Sequence, residues 1–176
     1  GTNSYIKQQG GGNLIIQQTA ADQDIILQSD DGSGGETAYL TLDGDAGYTT
    51  VQRQIRFDDN VPAKFGTSND LHIFHDGTDS LVDNYTGDLY FRQTADDKDI
   101  IFQSDDGSGG IETYFYLDGS ASSGNPFTVF PDLSELAFGN SRDLRIKHDG
   151  TDSHINNYVG DLYIKNNTDD KDIIFS

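Results

Sequence analysis

The residues of this chain that could do chemistry are aspartates and histidines, and most of them recur. Asp30-Asp31 and Asp105-Asp106 lie in two identical SDDGSGG loops. Such loops are rich in the carboxylate and carbonyl oxygens that Ca²⁺ prefers as ligands, but they match neither the EF-hand spacing nor the nonapeptide repeat of calcium β-rolls. Two hypotheses stand for these four aspartates: they bind a calcium ion, or they are solvated turn residues.

Two of the histidines recur as well. His75 and His148 are equivalent and each is followed by Asp-Gly, whereas His72 and His154 have no counterparts. Around a threefold axis, a repeated histidine would place three imidazoles about one metal ion. The alternative is a turn residue at a strand end that hydrogen-bonds a nearby carbonyl or aspartate.

Paired carboxylates of the kind used in glycoside hydrolysis occur in the DDKD clusters at 96–99 and 169–172. The first copy of this sequence has ADQD at 21–24 instead. An active site is rarely built once per repeat, so turn chemistry explains these clusters better. The sequence also lacks a Gly-x-Ser-x-Gly elbow, a phosphate loop and HExxH. We therefore expect no enzymatic activity.

A group of aromatic residues has two interpretations. Its members are Tyr90, Phe91, Tyr114, Phe115 and Tyr116. They form either a face on which sugars stack or a set of cross-strand packing pairs.

All of these residues belong to a long internal repeat. The sequence GDLYFRQTADDKDIIFQSDDGSGG at 87–110 recurs at 12–35 and, in part, at 160–176. The equivalent residues Leu14, Leu89 and Leu162 are 75 and 73 positions apart. Counted from the GT(D/N)S sequence, the copies are 1–76, 77–149 and a partial 150–176. Because both ends cut the repeat at arbitrary points, we expect a piece of a longer repetitive protein.

The composition narrows the function classes. The net charge is −19, from 30 acidic and 11 basic residues among 176. A field of this sign argues against binding nucleic acid through its phosphates. No apolar run approaches the roughly 18 residues that a membrane-spanning helix needs. Cysteine is absent, so no disulfide framework or thiol chemistry is available.

Short apolar segments separated by turn residues predict an all-β chain. In the second copy they are Ser80–Tyr85, Asp88–Arg92, Asp99–Gln103, Glu112–Leu117, Phe127–Phe130, Leu136–Phe138 and Asp143–His148. No window shows a sustained helical period with caps. Asp-Gly pairs at Asp76-Gly77, Asp149-Gly150, Asp43-Gly44 and Asp118-Gly119 predict tight turns with a positive φ.

Two kinds of strand are distinguishable. DLHIFH and DLRIKH alternate, so Leu71 and Ile73 should face one side and His72 the other. The DIIL and DIIF segments are apolar on both faces, at Ile25–Leu27, Ile100–Phe102 and Ile173–Phe175. Such strands require cover on both sides, either from a second layer of the same chain or from another subunit.

The predicted architecture is an elongated repeat of short antiparallel-type strands. A module of about 75 residues has a thin core of its own, which favours an oligomer whose copies are intertwined or packed along an axis. The alternative is a single-chain β-solenoid. The strand centres are unevenly spaced and the period is long for a solenoid coil, and both features weigh against that alternative.

The sequences DLHIFHDGTDSLVDNYTGDLYF and DLRIKHDGTDSHINNYVGDLYI resemble a repeat of tail-fibre and other structural proteins of marine, cyanophage-like bacteriophages. Two sets of residues carry the motif: Asp70, Leu71, Ile73, His75, Asp76, Gly77 and Ser80, then Asp143, Leu144, Ile146, His148, Asp149, Gly150, Ser153 and Ile155. The amino-terminal copy departs from it, with Asn3 for Asp and an inserted glycine. The resemblance implies a homotrimeric β fibre on the virion exterior.

From the repeat and this resemblance we expect a structural segment of a phage tail fibre or a related extracellular fibre. It would act as a stiff spacer and adhesion shaft. Its partners would be copies of itself, other virion or fibre proteins, and host surface glycan. The alternatives are a calcium-dependent bacterial surface adhesin or filament module, and a polysaccharide-degrading tailspike.

Overall fold

The computed structural model describes residues 3–120 and 124–175, and in those ranges it contains β-strands and no helix. The all-β prediction is therefore confirmed. The described residues contain no helix that is long and apolar enough to cross a membrane. The strands form small antiparallel sheets of three strands each.

The chain divides into two compact units, Gly1–Asp88 and Leu89–Ser176. The first unit contains β1 (Ile25–Asp30), β2 (Glu36–Leu42), β3 (Thr49–Val51), β4 (Ala63–Phe65), β5 (Leu71–His75) and β6 (Ser80–Asn84). They form the sheets β1-β2-β3 and β4-β5-β6. Within this unit, strands contact only strands of their own sheet.

The second unit repeats this organisation. It contains β7 (Ile100–Asp105), β8 (Ile111–Asp118), β9 (Phe127–Val129), β10 (Leu136–Phe138), β11 (Leu144–His148) and β12 (Ser153–Asn157). They form the sheets β7-β8-β9 and β10-β11-β12, and again no strand contacts the other sheet. A sandwich of layers within either unit is thereby contradicted, and the described residues show no solenoid.

The repeat boundaries taken from the sequence fall inside hairpin turns. The divisions at 76/77 and 149/150 lie between β5 and β6 and between β11 and β12. In each turn the aspartate closes the hairpin: the amide of Asp76 donates to Asp79 O, and that of Asp149 to Asp152 O, both at 3.0 Å. Gly77 and Gly150 have φ of 100° and 96°, which confirms the predicted positive-φ turns there.

The other two Asp-Gly pairs have glycine for a different reason. Gly44 and Gly119 do not have a positive φ, so that part of the prediction is wrong. A Cβ at Gly44 would overlap the backbone carbonyl of Gln23, and one at Gly119 that of Lys98. Glycine at these positions lets two backbone segments approach closely beside the β1–β2 and β7–β8 hairpins.

Three strand-type segments lie outside every sheet. We call residues 13–18, 88–93 and 161–166 the link segments. The predicted strand at Asp88–Arg92 is therefore wrong for the single chain. Each link is followed by the predicted turn, in which Asp22, Asp97 and Asp170 have a positive φ. No strand next to a link in sequence forms a hairpin with it among the described residues, and this is the physical reason that the links join no sheet.

The carboxyl-terminal DIIF segment also lies outside the sheets, although β1 and β7 have the same sequence pattern. Those strands pair with the strand that follows them, Ile25 with Leu42 and Ile100 with Leu117. No following strand of this kind is present after Ile173–Phe175 in this sequence.

The described residues contain no hydrophobic core. Only Thr41 is buried, and it is polar. The predicted thin core of each module is thus wrong for the single chain. The accessible surface is 15047 Å², whereas a folded single chain of this mass exposes about 8,500 Å². The chain leaves a large apolar area open to water.

Candidate functional site

The two aspartate loops are closed by their own hydrogen bonds. Asp31 Oδ1 accepts from the amides of Ser33 and Gly35, at 2.8 and 3.1 Å, and from Ser33 Oγ at 2.7 Å. Asp106 Oδ1 likewise accepts from the amide and hydroxyl of Ser108, at 2.7 and 2.6 Å. The loop aspartates are therefore turn residues in this structure.

These hydrogen bonds favour the ionised carboxylates. The Ser33 hydroxyl and then the Ser33 amide lower the pKa of Asp31, and the hydroxyl and amide of Ser108 do the same to the pKa of Asp106. The neighbouring Asp30 and Asp105 accept from the amides of Gly32 and Gly107. Among the described residues, no group of three or more acidic or histidine side chains could hold a metal ion. Calcium binding stays a prediction.

The recurring histidines end β5 and β11. His75 Nδ1 lies 3.3 Å from Ser80 Oγ across the β5–β6 hairpin. His148 Nδ1 lies 3.2 Å from Ser153 Oγ across the equivalent β11–β12 hairpin. Each histidine thus ends a strand, as the alternative to a metal predicted, but its partner is a serine hydroxyl and not a carbonyl or an aspartate. A threefold arrangement of imidazoles would need other copies of the chain, so that hypothesis stays a prediction.

Asp149 is the most strongly perturbed carboxylate. The amides of Asp152 and Thr151 donate to its Oδ1 at 2.8 and 2.9 Å, and His154 Nε2 lies 2.9 Å from its Oδ2. The Asp152 amide, the His154 side chain and the Thr151 amide together hold the pKa of Asp149 far below its usual range. The bonds hold a hairpin turn closed, and none of them prepares the carboxylate for proton transfer.

The aromatic residues separate into two groups. Phe115 of β8 stacks on Phe102 of β7, with ring centroids 4.5 Å apart, and lies 5.7 Å from Phe130. Cross-strand packing is therefore confirmed for Phe115. Tyr114 Oη donates to Asp105 O at 3.1 Å, which ties the tyrosine to the loop hairpin. Phe91, in a link segment, is 69% exposed.

An uncovered apolar face lies on each of the sheets β4–β6 and β10–β12. The cross-strand register places Ala63, Ile73 and Val82 in one row of the first sheet. Phe65 and Leu71 form the adjacent row of that face. Ile73 and Val82 are nearly half exposed. The predicted orientation of Leu71 and Ile73 is confirmed.

The sheet β10–β12 repeats this face. Leu136, Ile146 and Ile155 form one row, and Phe138 and Leu144 the next. Ile155 is 60% exposed and Phe138 is 49% exposed. We use the term "apolar faces" for these two sets of five residues. Side chains of this kind in a water-exposed row mark a contact surface.

The opposite face of β10–β12 is charged and internally paired. Glu135 accepts from Arg145 at 3.1 Å and from Lys147 at 3.0 Å. The hydrogen bond and charge of Lys147, followed by the charge of Arg145, lower the pKa of Glu135. The Arg145 guanidinium also lies 4.9 Å from the ring centre of Tyr158. In β4–β6 the residue equivalent to Arg145 is His72. Its ring packs edge-on against Tyr85, with the ring centroids 4.8 Å apart.

Sequence reasoning missed the side chains that close the link turns. The amides of Thr19 and Ala20 donate to Gln18 Oε1, that of Ala95 to Gln93 Oε1, and that of Thr168 to Asn166 Oδ1. An amide side chain two residues before the turn recurs in all three copies. That recurrence was the available signal.

Comparison with known proteins adds no identification. No protein-family model matches the chain, and no curated protein and no solved structure is significantly similar to it. What the molecule shows is therefore its own geometry: small amphipathic sheets, link segments that lie outside the sheets, and closed aspartate turns.

Proposed function

We propose that this chain is a repeat segment of a structural fibre, in which copies of the chain associate, most simply as a homotrimer. The observation that supports this is the absence of any buried hydrophobic residue in the described part of the chain. A sheet of three short strands is at the lower limit for independent stability, and a unit of fewer than about 40 residues usually needs oligomerisation or cross-links. Association with other copies supplies the missing burial.

The surface area supports an assembly of the obligate type. The chain exposes 15047 Å², which exceeds by roughly 6,500 Å² the area expected for a folded chain of its mass. Obligate interfaces bury about 2,000–5,000 Å² or more, whereas transient ones bury much less. The excess accessible surface is larger than the area that a single transient interface would bury.

The role we propose is mechanical. Repeats set the length of the shaft, and burial between subunits provides its stiffness and its resistance to unfolding. The resemblance of the DLxIxHDG sequences to repeats of marine phage fibres supports a place on the virion exterior, with other fibre proteins and host surface glycan as further partners. The carboxylates of Asp31 and Asp149 are engaged in hydrogen bonds within their own turns, as in a structural role.

Light scattering coupled to size-exclusion chromatography tests the proposal. We expect a single species with three times the mass of the chain. A folded monomer at micromolar concentration would contradict the proposal of a fibre segment, because the chain would then be stable without association.

A further inference from the structure

The apolar faces of β4–β6 and β10–β12 carry no charged side chain. Each consists of Ala, Phe, Leu, Ile or Val side chains, continued at the sheet ends by His, Ser and Asn. The pairs His75–Ser80 and Asn84–Gly87 O are already hydrogen-bonded within the chain. Covering this surface would bury no unpaired ion.

The charges of the same sheets lie on the other side. Glu135, Arg145 and Lys147 share the opposite face of β10–β12. Lys64 and Asp83 share that of β4–β6, together with His72, Phe74 and Leu81. In a chain with a net charge of −19, self-association is opposed by repulsion between copies. A contact made through an uncharged face keeps the acidic groups apart and in water.

We propose that the apolar faces of β4–β6 and β10–β12 are the surfaces through which copies of this chain pack on one another, with the charged faces turned outward. The proposal rests on the proposed function and specifies the surface that it uses. Packing against the same face of other copies would place Ile73 and Val82 in a shared core at the first unit, and Ile146 and Ile155 in one at the second.

The repeat argues that the occupant is a second copy of the chain. The two faces carry the same rows at equivalent positions, one in each unit. A partner that covers both needs matching apolar rows with the same spacing. This chain has such rows itself, and identical uncharged faces are complementary to one another.

One edge-strand side chain in each face offers a clean test. Val82 and Ile155 are 47% and 60% exposed in the single chain. Lysine at these positions costs a separate chain little, whereas at an interface it places a charge in an apolar contact. We expect V82K/I155K to move the species from three chains to one at micromolar concentration, and to weaken association by about 100-fold or more.

A matched control changes the opposite face by the same formal charge. His72 and Asn156 lie on strands β5 and β12 and point away from the apolar faces. The position equivalent to His72 is Arg145, so a cation is accommodated there. We expect H72K/N156K to remain trimeric. Amide exchange of β5 and β11 in both variants verifies that the hairpins are intact. A milder pair, V82T/I155T, keeps β-branched side chains and should weaken the trimer without abolishing it.

The outcomes separate the two proposals. A monomeric V82K/I155K beside a trimeric H72K/N156K supports the apolar faces as the contact. If both variants stay trimeric, or both dissociate, this surface is wrong while self-association stands. If the unsubstituted chain is itself a folded monomer, the proposed function fails first.

Discussion

The sheets β4–β6 and β10–β12 and the link segments are built from the same residue types, yet only the sheets form hydrogen-bonded ladders. In the sheets, Ile73 pairs with Val82 and Ile146 with Ile155 across a turn of a few residues. In the links, the described residues Leu14, Ile15 and Ile16 have no backbone hydrogen bond and are 54–74% exposed. An apolar strand-type pattern alone therefore does not produce a paired strand. The segment also needs a neighbouring strand with which it can form backbone hydrogen bonds.

The two copies of the hairpin sheet show how strongly a local partner fixes structure. The amide of Asn60 donates to His75 O and that of Leu133 to His148 O, both at 2.8 Å. The amides of Tyr85 and Tyr158 donate to the carbonyls of Asp70 and Asp143, also at 2.8 Å. Sequence differences on the two faces leave this frame unchanged. The links have the same repetition and no such frame, which is why we assign their partners to other copies.

The largest expected effect is on stability, from a substitution that disrupts the sheet β7–β9 and does not touch the link segments. A methyl group at Gly119 would overlap the carbonyl of Lys98, whereas one at Gly110 would meet nothing within 4 Å. We expect G119A to destabilise the β7–β9 region by roughly 2–4 kcal/mol, as forced backbone displacements do. G110A is the control and should be nearly neutral. Denaturant unfolding measures both, and equal midpoints for the two variants would contradict the close-approach explanation.

The next prediction concerns the links directly. If copies supply their partners, the amides of Leu162, Tyr163 and Ile164 should be protected in the assembly and unprotected in a dissociated chain. Hydrogen exchange should slow by about 100-fold or more on assembly, as for a newly formed ladder.

The amides of β11 are the internal control for that experiment, because they pair within the chain. We expect them to be strongly protected in the assembly and to keep weaker protection in a dissociated chain, because a small sheet is only marginally stable alone. Link amides that exchange at the same rate in the trimer and in a monomeric variant would show that the links stay unpaired, and would remove them from the interface.

Acid should affect the hairpin turns more than the links. The pKa of Asp149 is lowered by the Asp152 amide and the His154 side chain, and the pKa of Asp76 by the amides of Asp79 and Thr78. A group whose pKa is lower in the folded state stabilises it above the unfolded pKa, about 3.9 for Asp, and this contribution is lost as pH falls further. We expect the melting temperature to drop below about pH 4.

D76N/D149N tests the origin of that drop. Asparagine keeps an acceptor oxygen for the turn amides but has no charge to lose. The variant should therefore melt somewhat lower than the unsubstituted chain at neutral pH and show a shallower decline in acid. A parallel decline in both proteins would assign the acid sensitivity to other carboxylates.

The smallest effect concerns calcium. Because Asp31 and Asp106 already accept hydrogen bonds within their own loops, we expect added calcium or a chelator to leave the melting temperature unchanged. A clear rise with calcium would assign a cation to the SDDGSGG loops. It would also favour the calcium-dependent adhesin over the phage fibre.

The sequence predicted the parts of the fold that depend on neighbours along the chain. The alternation of Leu71 and Ile73 fixed the orientation of β5, and Asp76-Gly77 fixed its turn. The links carried the same signal but their partner is not nearby in sequence, so the pattern predicted a strand where the chain has none. The sequence predicted turn glycines at Gly44 and Gly119 because each follows an aspartate. The actual reason, a close approach to a distant backbone segment, cannot be recognised from neighbouring residues.

The candidate site divides in the same way. The turn roles of Asp31 and His75 follow from adjacent residues, so the sequence could offer them as alternatives. Ile155 shares an uncovered row with Leu136 and Ile146. Predicting that row would have required the register of three strands, which the sequence does not give. Whether that row is covered depends on other copies, which no single-chain pattern records.

The central claim is that copies of the chain supply the burial that one chain lacks, and it is tested most directly by unfolding at different chain concentrations. When folding and association are one process, mass action makes stability depend on concentration. We predict that the denaturant midpoint rises steadily as the chain concentration increases, with loss of β structure and of the trimer in one transition. A midpoint that is independent of concentration, measured on a folded monomer, would contradict the account.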